Sequence, residues 1–178
     1  MSKVDKEAII RAAEDVVREN GARKLTLDAV ANRCGLSKGG LLHHYGSKQA
    51  LLQAMLQSVV ARESELANAY LDCNDQPGGL LVSRIQTLFA MMEEPAGLPR
   101  SLIAAVAEDP ALLEPIKNQE ERIRNKVCDD SSDPEMALLL LCAARGIFFG
   151  RVLGVVEEDA PLFRRLRERL LKLAQDLD

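Results

Sequence analysis

The chain has 178 residues, of which 47% are hydrophobic and 28% charged, and its formal net charge is −4. This size suits one large domain or two small ones, with enough apolar side chains for a buried core. Leu, Ala, Glu and Arg dominate and tryptophan is absent, which favours an all-α protein. The four cysteines lack CxxC spacing and the charged N-terminus lacks the apolar segment of a signal peptide, so we expect a cytoplasmic protein.

The charge is unevenly distributed along the chain. Residues 1–58 hold nine Lys and Arg against six Asp and Glu, whereas residues 59–178 hold fourteen against twenty-one. A basic N-terminal part followed by an acidic remainder is typical of a protein that presents one end to DNA, because phosphate contacts are electrostatic and local.

The first predicted helix covers residues 5–20 and ends at Gly21. Residues 25–48 then predict two short helices joined by a tight turn. Thr26 and Ser37 have side chains that cap helix N-termini, and Gly35 stands where a helix end commonly requires a left-handed residue. Two short helices joined by such a turn describe a helix-turn-helix, whose second helix enters the major groove of DNA.

The second of these helices, which ends before Gly46, has a composition that stability alone does not explain. Gly39 and Gly40 each cost roughly 1 kcal/mol relative to alanine inside a helix. Their presence indicates that something large approaches the backbone closely. The predicted DNA-binding residues are Thr26, Ser37, Lys38, Gly39, Gly40, Leu42, His43, His44, Tyr45 and Lys48.

Two alternatives apply to these residues. The adjacent His43 and His44 are the only histidines, but neighbours on a helix point about 100° apart and no cysteine pair lies near them, so we predict no metal site. They are otherwise surface histidines without a role. Lys38 and Lys48 are otherwise ordinary solvated charges, and only their position around the glycine pair favours a role in binding.

The same run resembles the DNA-binding domain of the TetR family of bacterial transcriptional regulators. Gly21 and Thr26 match the residues that precede the first helix of the family's motif. The rest of the motif is matched by Ala31, Gly35, Leu36, Ser37, Gly39, Leu41, His43, Tyr45, Ser47, Lys48 and Leu51. Leu42 departs from the family, which usually has at this position a tyrosine that often contacts phosphate or bases. That contact is therefore lost here or made by His43, His44 or Tyr45.

Ser47 is expected to cap a long helix that reaches about residue 71. At about 1.5 Å per residue this helix spans roughly 36 Å and joins the two parts of the chain without a flexible linker. We predict a DNA-binding domain over 1–50 and a helical ligand-binding and dimerisation domain over 51–178, with the boundary inside this helix.

The remainder of the chain predicts further helices over residues 80–94, 98–107 and 110–127, after a loop at 72–79. The resemblance implies a small-molecule pocket in this part. Candidate pocket residues are Met55, Tyr70, Phe89, Met91, Met92 and Leu102, and the alternative for each is plain core packing.

A long apolar helix is predicted over residues 136–156. Its length and composition would suit a membrane span, but Arg145 and Arg151 would be costly near the bilayer centre, so we predict a buried helix and no membrane partner. Gly146, Gly150 and Gly154 recur every fourth residue and would line one face. With the last helix, over 160–176, this face is the predicted homodimer interface.

Three functional hypotheses follow from the sequence. The first, implied by the resemblance, is a dimeric repressor released from a palindromic operator by an unknown small-molecule effector. The second is a helical protein-interaction adaptor with a degenerate DNA-binding head, which the departure at Leu42 favours. The third, an enzyme, has no support, because the chain has no Glu-x-x-His pair, nucleophile elbow or phosphate-binding glycine loop, and no cofactor is expected.

Overall fold

The structure is a computed structural model that describes residues 5–21, 24–72, 79–93, 103, 106, 109–155 and 161–177. Every regular element in these residues is helical, which confirms the all-α class. The α-helices are α1 (Lys6–Asn20), α2 (Leu27–Cys34), α3 (Lys38–His44), α4 (Lys48–Asp72), α5 (Gly79–Glu93), α6 (Glu114–Asp129), α7 (Pro134–Leu153) and α8 (Pro161–Gln175), and a 3₁₀ helix covers Pro110–Leu113.

The chain divides into two compact units. The first unit comprises Met1–Val60 and Gly97–Ile116, and the second comprises Ala61–Ala96 and Lys117–Asp178. The division falls inside α4, as expected for a helix shared by two domains. The domain limits 1–50 and 51–178 remain a prediction.

The first unit is built around one apolar core to which α1, α2, α3 and the start of α4 all contribute. Ile9, Leu25, Leu41, Leu51 and Met55 are completely buried in it. Side-chain caps mark where these helices begin. The predicted caps Thr26, Ser37 and Ser47 accept hydrogen bonds from the backbone N–H groups of Ala29, Gly40 and Ala50 at 3.0–3.1 Å, and Asp5, which was not predicted as a cap, accepts one from Ala8 at 2.7 Å. Gly35 ends α2 with φ 67°, a conformation that favours glycine.

The second unit has its own core, in which α5 contributes Leu81, Val82, Ile85, Leu88, Phe89 and Met92. Helices α6, α7 and α8 supply the opposing residues, which include Ile123, Leu140, Leu141 and Leu170. Buried residues on nearly every turn of α5 explain its apolar sequence.

The segment that begins at Asp109 differs in detail from the predicted continuous helix. Its first turn, Pro110–Leu113, is 3₁₀, and α6 follows from Glu114. Pro115 has no N–H to donate to the carbonyl of Ala111, and the N–H of Glu114 donates to that carbonyl instead. Most of the helix predicted over 98–107, and the loop predicted over 72–79 apart from its two end residues, lie outside the described residues.

Helix α7 is the one described helix that is long and apolar enough to cross a membrane by length and composition, with a mean hydropathy of 1.8 over its most apolar window. Its Ala137, Leu140, Leu141 and Ala144 pack into the second core, and its Arg145 forms an ion pair with Glu120 of α6. These contacts are those of a helix in a folded helical domain. The helix ends at Leu153, three residues before the predicted end, and Gly154 caps it.

Candidate nucleic-acid interface

Helix α3 is held in place by one face and leaves the other open. Leu41 is completely buried and Tyr45 is 8% exposed, both in the first core. Burial also raises the pKa of the Tyr45 phenol. Tyr45, predicted as a DNA-binding residue, therefore has its ring in the core. On the other side, Gly39, Leu42 and His43 are exposed.

The two glycines of α3 stand in different surroundings. A Cβ added to Gly39 would meet nothing within 4 Å, so no contact in the described chain requires glycine there. A Cβ on Gly40 would lie 3.3 Å from Oγ of Ser37, the hydroxyl that caps the helix. Gly40 thus has a partial explanation within the fold, whereas Gly39 has none and marks a place where an external group can approach the backbone.

The two predicted lysines flank α3. The ammonium of Lys38 donates to Oδ2 of Asp28 at 2.9 Å, which links the start of α3 to the start of α2. Both side chains are about 60% exposed, so this ion pair is open to solvent and to exchange for another anion. Lys48 is half-buried at the start of α4. Asp28 could not be identified from the sequence, because a partner across the turn between two helices has no signature in helical spacing.

The remaining predicted residues lie around the same surface. His43 is exposed and His44 half-buried, and their rings meet edge to face with centroids 5.9 Å apart. The Thr26 and Ser37 side chains are exposed while they cap their helices. A hydroxyl that accepts one hydrogen bond can still donate its own proton, so both remain available to a phosphate oxygen.

A second ion-pair group braces α1 against α2. The guanidinium of Arg33 donates to both carboxylate oxygens of Glu19 at 2.6 Å, and its Nε lies 3.8 Å from Asp15. The hydrogen bond from Arg33 lowers the pKa of the Glu19 carboxyl and in turn raises that of Arg33. This bidentate pair links the two helices, and sequence reasoning missed it because the partners are fourteen positions apart.

The residues predicted to line a ligand pocket belong to two different cores. Met55 lies in the first core, and Phe89 and Met92 lie in the second. Tyr70 and Met91 are half-buried. Leu102 lies outside the described residues. The alternative of core packing therefore accounts for Met55, Phe89 and Met92 in the described structure.

The glycines predicted to form a dimer face also divide. Gly146 and Gly150 lie within α7, but Gly154 follows its end with φ 76°, where its N–H donates to the carbonyl of Arg151. The assumption of three glycines inside one helix is wrong, because Gly154 is required by the left-handed cap.

The exposed side of α7 is apolar. Met136, Leu139, Phe149 and Leu153 are 41–60% exposed, and they recur with helical spacing together with Cys142 and Gly146. We call these six residues the open face of α7. Surface patches of this kind are characteristic of protein interfaces.

Comparisons with known proteins divide the chain at similar places. Residues 9–55 match the model of "Bacterial regulatory proteins, tetR family", and residues 78–175 match that of the "Tetracyclin repressor-like, C-terminal domain". Within the described residues no group of three or more His, Cys, Asp or Glu side chains is placed to hold a metal ion.

Some individual relatives match a short part of this chain, and others match nearly all of it. The HTH-type transcriptional regulator UidR of Escherichia coli strain K12 is 40% identical over 48 residues, which span 27% of this chain and 24% of that protein. The chain thus spans about a quarter of the length of these curated relatives. The HTH-type transcriptional regulator CymR of Pseudomonas putida is 27% identical over 94% of this chain and 88% of its own length. The solved structure of the multidrug binding protein EbrR complexed with imidazole superposes with a TM-score of 0.71 at 21% identity and covers 95% of this chain and 92% of that one.

Proposed function

Because the chain belongs to the TetR family of bacterial transcriptional regulators, a non-enzymatic family, we propose that it is a dimeric repressor that binds a palindromic operator and leaves it when a small molecule binds its C-terminal domain. The observation that carries this proposal is the exposed side of α3. Leu41 and Tyr45 anchor the helix, and Gly39, Leu42 and His43 face outward from it. Such a soluble regulator would act on DNA in the cytoplasm.

In this proposal α3 lies in the major groove. Gly39 lets the DNA approach the helix backbone, since nothing in the described chain occupies the space its side chain would take. His43 and His44 face base edges or phosphates from the end of α3, and Leu42 offers an apolar surface to a thymine methyl group. Lys48 contacts phosphate, and Lys38 does so by exchanging Asp28 for the DNA backbone.

The homodimer is proposed to form through the open face of α7, with Gly146 and Gly150 allowing close approach of a second backbone. A two-fold axis places the same patch of both copies in contact, and two α3 helices then read two half-sites. This geometry is the reason to expect a palindromic operator. Helix α8, whose Leu162 and Leu173 are 54% and 38% exposed, would complete the interface.

A small-molecule effector is proposed on the strength of the C-terminal family match and of EbrR, whose structure contains imidazole. The identity of the effector cannot be transferred from CymR or EbrR, because each is less than one third identical in sequence to this chain. Tyr70 and Met91, both half-buried, remain the candidate wall residues that the cores do not fully account for.

The alternative is an adaptor that binds protein through a degenerate head. The exposed Leu42, in the position where the family usually has tyrosine, is the observation that favours it. An adaptor would not require open space at Gly39 or cations on both sides of α3.

The test is duplex selection from a random-sequence library with the full-length chain, followed by mobility shifts across a salt series. We expect an enriched palindrome and an affinity that falls steeply with salt. Lys48→Ala should weaken binding to all sequences alike and reduce the slope of log affinity against log salt by about one unit. Lys126→Ala, which removes the same charge from an exposed position in the second unit, is the control and should leave the slope unchanged. Failure to enrich any sequence at low salt would favour the adaptor.

A further inference from the structure

The second unit contains a buried arginine whose hydrogen-bonding capacity is only partly used. Arg84 lies on α5 among core residues, and its side chain is 9% exposed. Its Nη1 lies 3.6 Å from Oε1 of Glu63 on α4, which is too long for a hydrogen bond. Neither Nε nor Nη1 of Arg84 has a hydrogen-bond partner among the residues that the structure describes.

The surrounding charges do not supply the missing acceptor. Glu120 on α6 forms an ion pair with Arg145 on α7, so its carboxylate already has a cationic partner. Glu63 is the only carboxylate in ion-pair contact with Arg84 in the described chain, and its side chain is 16% exposed. Burial raises the pKa of the Glu63 carboxyl, which Glu120 also raises and which Arg84 and Arg145 lower. Burial likewise lowers the pKa of Arg84.

A buried guanidinium with unused donors is costly, and a buried ion pair kept only for stability is often no better than apolar residues of the same volume. The two donors of Arg84 therefore need an acceptor that the described chain does not provide. Apolar neighbours on the same helix, Leu81, Ile85 and Leu88, limit what that acceptor can be attached to.

We propose that Arg84 recognises an organic monoanion, a small carboxylate with an apolar body, as the effector of this regulator. The proposal rests on the ligand response proposed above and names the chemical class of the ligand. The carboxylate oxygens accept from Arg84, and the apolar body lies against the core side chains of α5. A cation is disfavoured because the open groups are donors on a positive side chain. A dianion would bring more negative charge than the cluster can balance.

Charge balance also predicts a proton linkage. With Glu63 ionised, the four groups Glu63, Arg84, Glu120 and Arg145 sum to zero, so an incoming monoanion leaves one uncompensated negative charge. With Glu63 protonated, the cluster carries one positive charge and the monoanion neutralises it. Binding therefore takes up a proton at Glu63, and affinity rises as pH falls while the ligand stays ionised.

The test uses the full-length protein and two matched pairs of probes, hexanoate with hexanamide and 3-phenylpropionate with 3-phenylpropanamide. Thermal unfolding at increasing probe concentration reports binding, because a ligand that binds only the folded state raises the melting temperature. We expect at least one carboxylate to raise it and its amide to have no effect. Affinity should rise as pH falls over the range in which the probe carboxylate stays ionised.

Two substitutions should change carboxylate affinity in opposite directions. Arg84→Met should weaken it about tenfold or more, since a charge-assisted hydrogen bond is lost. Glu63→Gln should strengthen it and abolish its pH dependence. The double variant Glu63→Gln with Arg84→Met removes both charges. We expect it to fold even if the single Arg84→Met variant does not, because no unpaired charge is left buried. It should show no carboxylate response.

Equal responses to acid and amide, no response of the wild type to either carboxylate, or an unchanged response in the double variant would each overturn the proposal. None of these results bears on operator binding, which the mobility shift measures without any ligand. A wild type that binds carboxylate but no DNA would instead keep the anion site and refute the proposed repressor.

Discussion

The proposed dimer interface can be tested at Leu139, the large open-face residue with the greatest exposure on α7. Its side chain is 60% exposed, and it stands on the opposite side of α7 from the buried Leu140 and Leu141. Leu139→Ala removes apolar surface that only a second molecule can bury. We therefore expect the substitution to weaken dimerisation and to leave the fold of each copy unchanged.

The magnitude follows from the exposed fraction. Full burial of a leucine side chain contributes about 1.5–3 kcal/mol, so about 1–2 kcal/mol remains to be gained at Leu139 when a partner covers it. A two-fold interface counts each substitution twice, and alanine retains part of the contact, which gives a loss of about 2–3 kcal/mol. The dimer dissociation constant should rise roughly 30- to 150-fold.

Sedimentation equilibrium over a dilution series measures this constant directly. Leu42→Ala is the matched control, because Leu42 is also an exposed leucine on a helix, at 39%, but lies on α3 in the first unit. It should leave the dissociation constant unchanged. If Leu139→Ala stays within about threefold of the wild type while Leu42→Ala does too, the open face of α7 is not the interface and the reasoning fails.

Two further predictions concern the first unit. Glu19→Gln should lower the free energy of unfolding at neutral pH. Because the pKa of the Glu19 carboxyl is depressed in the folded state, its stabilisation is present above the unfolded pKa and is lost as pH falls through the folded pKa. The unfolding curves of variant and wild type should therefore converge in acid, and a constant gap would refute the role of the ionised pair. Gly39→Ala should raise the free energy of unfolding by about 0.5–1 kcal/mol and yet weaken DNA binding. Gly40→Ala should give no such gain in stability, because its new Cβ would lie 3.3 Å from Ser37 Oγ. If Gly39→Ala binds DNA with undiminished affinity in mobility shifts, DNA does not approach the backbone closely at this position.

Local signals predicted the first unit well. Thr26, Ser37 and Ser47 cap helices because each hydroxyl satisfies a backbone N–H of its own first turn, and Gly35 adopts the left-handed cap that few other residues tolerate. These interactions join residues three or four positions apart, so their whole geometry is written in a short stretch of sequence. The burial of Leu41 and Tyr45 on one side of α3 follows from the same periodicity.

Interactions between distant residues were not predictable in this way. The Lys38–Asp28 and Arg33–Glu19 pairs depend on the angles between helices, which periodicity does not contain. Arg84 does have a signal in the sequence, because it lies between Leu81 and Leu88 on an otherwise apolar face of α5. A charged residue at core spacing indicates a buried charge, but its partner Glu63 lies on another helix and only the fold identifies it.

Helix α7 is apolar on its exposed side as well as on its buried side. Its most apolar window reaches a mean hydropathy of 1.8, yet only 28% of that window is buried. A helix that buries one face in its own domain would normally be polar on the other, as surface helices are. On α7 Leu140 and Leu141 face the core while Leu139 and Phe149 face outward. In the proposed dimer a second copy would cover the open face, which would explain why that face is apolar. The resemblance to a membrane span would then arise from two protein interfaces on opposite sides of one helix.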